Sequence, residues 1–308
     1  MGRVMSHLLL AALSTVMLFA GSDRLGPIGL FGLLAVPFPA AYVHMRHGGR
    51  IGGLTVAASS VLLLPIVSSA GSLQYLGLFG LGSFVLPFML RRGTSWDRAW
   101  GTALLAEVIC LLPFFGYWAA RGEGTVSDQV RGFLGREVER SLEVYRAAEV
   151  PAEQLLELQK GAEFMLAVVP RLYSGLCVAA LGLLLLTLVA LLSRASRGHY
   201  SIAGTRFRQW KTPEPLVWVL ISAGFCALVP LPQLQTVAYN LLVVLLPLYF
   251  LQGVAVIACV LARRGLPSFL RGVIYFLLVV LNPLPLLVTG VGLFDLWADF
   301  RRPKIRKA

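Results

Sequence analysis

The stretch FMLAVVPRLYSGLCVAALGLLLLTLVALL, residues 164–192, carries a single charged side chain, Arg171, along its whole length. A helix rising ~1.5 Å per residue needs about twenty apolar residues to cross a ~30 Å hydrocarbon core, so this stretch can span a membrane with residues to spare. Runs of the same kind precede it at 4–20, 25–44, 51–69, 73–90 and 98–118. Others follow at 215–231 and 236–261, with a last, broken segment at 271–300. Several of these are only marginally long enough. The reading is an all-α, polytopic transmembrane helical bundle of roughly nine to ten membrane segments, ending in a proline-broken C-terminal hairpin.

Composition supports this, since 57% of the residues are hydrophobic and 14% charged, too few charges for an ordinary soluble domain. A net charge of +12 would point to nucleic acid in a soluble protein. Here most basic residues sit in short loops between apolar runs, where they act as topology signals and contacts for anionic lipid headgroups, with no nucleic-acid partner. The four cysteines, Cys110, Cys177, Cys226 and Cys259, all lie inside apolar runs without CxxC spacing, and read as filler rather than disulfides or ligands. Arg3 followed by an apolar run has the layout of a signal peptide. A first membrane helix is preferred, because another apolar run follows and Leu18 sits where cleavage wants a small residue.

Basic residues mark alternate loops: Arg3, then Arg46 and Arg50, then Arg91, Arg92 and Arg98, then Arg194, Arg197, Arg206, Arg208 and Lys211, then Arg263, Arg264 and Arg271, with Arg24 the main exception. The positive-inside rule then puts the N-terminus in the cytoplasm of a bacterial-type plasma membrane. Trp96, Trp100, Trp118, Trp210, Trp218 and Trp297 fall near helix ends and read as interfacial anchors. Nine simple spans would leave Arg301, Arg302, Lys304, Arg306 and Lys307 outside. Asn282-Pro283-Leu284-Pro285 offers the remedy: two prolines stop the helix there and a hairpin or re-entrant loop returns the C-terminus to the cytoplasm.

The organisation is therefore about five N-terminal helices in 1–118, an extramembrane insertion at 119–163, and C-terminal membrane helices with a basic tail at 164–308. The insertion holds nine of the fifteen acidic residues against six basic ones. In it Val126, Val130, Phe133, Leu134, Val138, Leu142 and Tyr145 recur at three- and four-residue steps, an amphipathic helix that Val150-Pro151 breaks and restarts. It is either a cap over an external opening or a helical hairpin lying on membrane or loops.

Motifs for chemistry are missing. There is no Gly-Lys pair, hence no P-loop. His7, His44, His47 and His199 are scattered without HExxH spacing, and no G-x-S-x-G elbow occurs, so no catalytic residue, metal, cofactor or enzymatic activity is assigned. Small residues at Gly49, Gly52, Gly53, Thr55, Ser59 and Ser60, and at Gly77, Gly80 and Gly82, permit close helix approach. Ionisable groups inside spans are costly and define a candidate polar site: Glu107 and Arg171, with the neutral Asn240 and Gln252. Counted from the outer helix ends, Glu107 and Arg171 lie ~6 Å apart in depth and could pair directly or through water across an interior pocket. Alternatively Arg171 snorkels to the interface and Glu107 sits protonated against backbone groups. Asp295 and Asp299 read as interfacial partners of Arg301 and Arg302.

Particular stretches resemble the YybS-like family of uncharacterised bacterial multi-pass membrane proteins, almost end to end. They are Pro27 with Pro37-Phe38-Pro39 before Arg46-His47-Gly48; Gly80-Leu81-Gly82 leading to Arg91-Arg92-Gly93; and Pro170. Most specific are Phe207-Arg208-Gln209-Trp210 before Pro213-Glu214, Tyr249-Phe250-Leu251-Gln252-Gly253, and Gly292-Leu293-Phe294-Asp295-Leu296-Trp297-Ala298-Asp299-Phe300-Arg301. The resemblance implies a fold similar to the substrate-binding membrane subunits of energy-coupling-factor transporters, and with it small-molecule uptake driven by an ATPase on another chain. The chain departs from that pattern by having more segments and no AxxxA pair in its first helix. The alternative is a non-transporting scaffold or regulator recruiting a partner through its basic cytoplasmic face, chiefly the loop 193–214 with Tyr200, Phe207 and Trp210 among its arginines.

Overall fold

The computed structural model describes residues 2–22, 25, 29–121, 125–148, 150–196 and 198–301, without the side chains of 114, 115 and 117–121; all regular structure among them is helical. Arg24, Pro27, the Trp118 side chain, Arg197 and the tail residues Arg302, Lys304, Arg306 and Lys307 lie outside the described residues. The chain divides into two compact units, Met1–Arg121 with Ala180–Gly204, and Gly122–Ala179 with Thr205–Ala308.

The first unit opens with α1 (Gly2–Ser22), which buries Leu8, Ala11, Ala12, Thr15 and Val16 along one face while Leu9, Leu10, Leu13 and Met17 stay exposed. In hydrocarbon such a face is at no disadvantage, and the small inward residues allow close packing on the next helices. The apolar run at 25–44 is not one span. It breaks into α2 (Gly29–Leu33), a run of turns, and α3 (Phe38–His47), because Pro37 and Pro39 remove donors and Pro37 keeps Val36 from the α region. α4 (Gly49–Val67) crosses α3 where Gly52 faces His44; a Cβ at Gly52 would overlap that side chain. After Ser68, whose hydroxyl accepts from Gly71 N–H at 3.3 Å, one continuous helix runs through α5 (Ser69–Tyr75), a π-helical turn (Leu76–Gly80) and α6 (Leu81–Arg91). α7 (Trp96–Arg121) packs against α6. The core is closed by Leu185, Leu188 and Leu192, all fully buried against Ala41, Leu86, Leu90, Ala99 and Ala103.

In the second unit α8 (Val126–Ala147) starts on a capping box. Thr125 Oγ1 accepts from Asp128 N–H, and the Asp128 carboxylate accepts from Thr125 N–H at 2.8 Å and from its hydroxyl at 2.7 Å. Of the expected apolar stripe only Leu142 is buried, while Phe133 and Tyr145 are exposed. α9 (Ala152–Ala195) begins after the break at Val150-Pro151 and runs 44 residues without interruption at 163, so the insertion's second half and the following membrane segment are one helix, its C-terminal end belonging to the first unit. α10 (Pro215–Leu228) has 14 residues, too few for a ~30 Å core, because Pro230 and Pro232 end it early. α11 (Pro232–Arg263) and α13 (Leu284–Ala298) cross backbone to backbone: a Cβ on Gly253 would overlap Val288 O, and one on Gly292 would overlap Tyr249 O. α12 (Ser268–Val280) buries no residue and meets α13 at a bend of 103°, at the Asn282-Pro283 break expected from sequence.

Among the described residues five helices are long and apolar enough to cross a membrane: Gly2–Ser22, Gly49–Val67, Ser69–Arg91, Ala152–Ala195 and Pro232–Arg263. The bent pair makes a sixth if it counts as one span. Nine to ten spans are not reached, because proline splits the run at 25–44 and shortens the one at 215–231. α7 has a span's length, 26 residues, but the side chains of its last turns are not described.

Two outcomes follow from these packing and capping details. Gly253→Ala and Gly292→Ala should each lower stability by about 1–3 kcal/mol, as overpacking does, measured by unfolding in detergent micelles. The hydrogen bonds from Thr125 hold the Asp128 carboxyl below its usual range, so its support for α8 is complete above the ordinary aspartate value and is lost as pH falls through the lower folded one. Hydrogen exchange in α8 should rise below roughly pH 4, and Thr125→Ala should raise it about fivefold at neutral pH, the factor that a lost N-cap of ~1 kcal/mol implies.

Candidate functional site

The sequence stretches that carry the resemblance most specifically meet in one place in the second unit. The Gly253–Gly292 crossing brings Gln252 beside Asp295, both fully buried. Gln252 Oε1 accepts from Thr212 N–H at 2.9 Å and from the Thr212 hydroxyl, while its Nε2 donates to Asp295 Oδ2 at 3.4 Å. The same oxygen pairs with Arg301 Nη2 at 3.0 Å, and Asp295 Oδ1 accepts from Phe300 N–H at 3.1 Å. Arg301 Nη1 donates to the carbonyls of Arg208 at 3.1 Å and Trp210 at 2.7 Å, and Arg263 Nη2 donates to the Arg301 carbonyl. The charges cancel and the carboxylate's lone pairs are used, which is what makes a buried ion pair tolerable. This arrangement presents no free charge to a ligand. It clamps the 205–214 segment onto the ends of α11 and α13, with Lys211–Asp299 at 3.2 Å as a more exposed outer pair. Asp295 is thus fully enclosed rather than interfacial, and Trp210, expected as an interfacial anchor, is 6% exposed. Trp218 and Trp297 are exposed, and Trp100 donates Nε1–H to the Gly182 carbonyl at 2.9 Å.

A second arrangement repairs α9. Pro170 has no N–H, so Leu166 O loses its usual intrahelical donor; Arg131 Nε of α8 supplies one at 3.3 Å, and Ser127 Oγ donates to Pro170 O at 2.9 Å. One turn on, Gly175 N–H donates to Asn240 Oδ1 at 2.7 Å while Asn240 Nδ2 donates to Arg171 O at 2.8 Å and Thr236 O at 2.7 Å. The amide therefore pairs with both ends of what would be the Arg171–Gly175 helical bond. Gly175 is required there, since a Cβ would overlap the Asn240 backbone.

Of the four site residues expected from sequence, Arg171 and Asn240 are brought together, through the Arg171 carbonyl and not its guanidinium, which is exposed. Gln252 lies at the clamp, further along α11. Glu107 belongs to the first unit, where it is 0% exposed with the backbone of Gly82 against it, and Arg171 belongs to the second. Thr212 and Arg131 carry no motif that marks them in the sequence, and Arg301 is expected there only as an interfacial partner of Asp295; His44 is 1% exposed with both ring nitrogens unpartnered. For Arg131 the signal was Pro170, which promises an orphan carbonyl four residues earlier. No group of three or more metal-ligating side chains occurs among the described residues.

Asp295→Asn should cost about 3–5 kcal/mol by stranding Arg301, and Arg301→Met a similar amount; combining Asp295→Leu with Arg301→Met should restore most of the loss. Unfolding of the three variants in detergent tests this, and purely additive losses would show that the pair is not coupled.

No curated protein and no solved structure matches the chain. A family model described as "Predicted membrane protein (DUF2232)" matches residues 12–296, nearly the whole length, and the chain belongs to that family of membrane proteins.

Proposed function

We propose that this membrane protein is a small-molecule transport-related subunit of a bacterial plasma membrane, with both termini cytoplasmic, that binds substrate and relies on a separate ATPase chain for energy. The observation that carries the reading is α9. A membrane-length helix carries Pro170 within it, and its backbone groups at 166–175 are met by side chains of α8 and α11, Arg131, Ser127 and Asn240. Interrupted helices with convergent polar side chains are how many secondary transporters build substrate sites, since irregular backbone is tolerated only where protein or a cavity covers it. The bent pair Ser268–Val280 and Leu284–Ala298 is a second interruption of the same kind. The resemblance to YybS-like proteins, and through it to energy-coupling-factor subunits, adds support at the level of analogy. The missing Gly-Lys pair fits an energy source outside this chain, and no enzymatic role is assigned to it.

The full-length chain, affinity-purified from its native membrane, should bring down an ATPase carrying a P-loop. Metabolite profiling of cells lacking the chain should reveal a compound whose uptake falls. Asn240→Ala should lower that uptake roughly tenfold, as the loss of ~1.4 kcal/mol of interaction would, with chain abundance unchanged. A chain that purifies alone and whose removal alters no uptake would count against transport.

A further inference from the structure

Glu107 is a fully buried acid that, among the described residues, no cation and no side-chain donor answers. It sits mid-way along α7, 0% exposed, and the polar group that reaches it is the backbone of Gly82. By contrast the other fully buried carboxyl, Asp295, has an ion pair and two hydrogen bonds.

The carboxyl of Glu107 is packed tightly against its neighbours. It rests against Gly82 of α6, where an added Cβ would overlap Glu107 Oε1 and come within 2.8 Å of Leu185 Cδ2. The carboxyl thus fills the space that any side chain at position 82 would need. The π-helical turn Leu76–Gly80 ends just before Gly82 and shifts the phase of all that follows, bringing Gly82 and Ser83 to the buried face. Single π turns inside α-helices recur at functional positions.

Among the described residues of the first unit, no counter-charge stands at this level on the elements packed around it. On α6 the only ionisable group is Arg91, nine residues from Gly82, roughly 13 Å along the helix. The nearby end of α9 carries Arg194, equally far from Leu185, and α7 itself carries Asp97 and Arg98 about as far away at its start and the exposed Cys110 one turn on. The π-helical turn has none, and Tyr75 before it is fully buried. On α3 and α4, which also pack on α6, His44 lies against Phe84, Tyr42 packs on the core that α3, α6 and α7 share, and Arg46, His47 and Arg50 sit at helix ends. A carboxylate enclosed by apolar groups without a cation is strongly disfavoured, whereas the neutral acid is not. A metal ion would need several oxygen ligands where Gly82 and a leucine methyl stand.

We propose that Glu107 is a proton-binding site: the side chain resides as the neutral acid in the closed contact with Gly82, and its O–H bond breaks, the proton passing to water, when α6 and α7 part. The proposal does not depend on the transport reading and survives its failure, since a proton carried here can serve coupling, gating or sensing alike.

Infrared spectroscopy of the full-length protein in lipid bilayers tests it, because at neutral pH exposed carboxyl groups are ionised and a protonated one gives a separate carbonyl stretch. The wild type should show that band at neutral pH. It should move with carboxyl-13C glutamate, vanish in Glu107→Gln, shift in Gly82→Ala, and fade as pH is raised. Glu107→Gln, an isostere of the neutral acid, should keep the wild-type unfolding temperature. Absence of the band in folded wild-type protein overturns the proposal, as does its persistence in folded Glu107→Gln. Should that variant not fold, the isotope shift decides: a band unmoved by labelled glutamate belongs to another group and overturns the proposal. Loss of the band on adding sodium at constant pH would assign the site to a metal cation and equally overturn it.

Discussion

A peptide carbonyl or N–H shut away from water has to be answered by another polar group, and in this chain the answer comes repeatedly from a long side chain on a neighbouring element. Arg131 answers Leu166 O, which Pro170 leaves open; Asn240 answers both Arg171 and Gly175; Arg301 answers Arg208 and Trp210. In the first unit Arg91 donates to Met45 O at 2.6 Å near the end of α3, and Trp100 donates to Gly182 O. Each of these bonds joins segments distant in sequence. In a membrane, where lipid is as apolar as leucine and burial alone drives little association, such bonds and the close approach of small residues hold helices together.

This use of polar side chains changes how they read functionally. A guanidinium or amide in an apolar run suggests a ligand site by its expense alone, yet Arg301, Arg131, Gln252 and Asn240 are spent on partners within the chain. What remains is Glu107, enclosed by Gly82 and Leu185 with no cation beside it among the described residues of the first unit. The contrast between Asp295, embedded among donors, and Glu107, surrounded by hydrocarbon, separates a structural acid from one whose protonation can change.

Features confined to a few neighbouring residues could be read from the sequence. The break at Asn282-Pro283 and the restart after Val150-Pro151 follow from the missing proline N–H and steric clash, and the Asp295–Arg301 pairing from proximity along the chain. Features that depend on which helix lies beside which could not. Hydropathy changes near Phe164, but polar and apolar residues are equally helical there, so nothing local announced that α9 starts at Ala152. Prolines at 37 and 39 were noted, yet the run at 25–44 was still counted as one span, because composition is blind to a break. The insertion of Asn240 into another helix's ladder requires Gly175 opposite it, a coincidence of two positions far apart in the chain.

The clamp at Arg301 has a consequence for biosynthesis. A ribosome delivers α11 and the 205–214 segment to the membrane well before it reaches residue 301, and until then Thr212, Gln252 and the carbonyls of Arg208 and Trp210 wait without their final organiser. Arg301 therefore closes contacts begun some ninety positions earlier. A polypeptide released short of it would be inserted but unlatched, exposing a buried aspartate and a loose segment to membrane proteases.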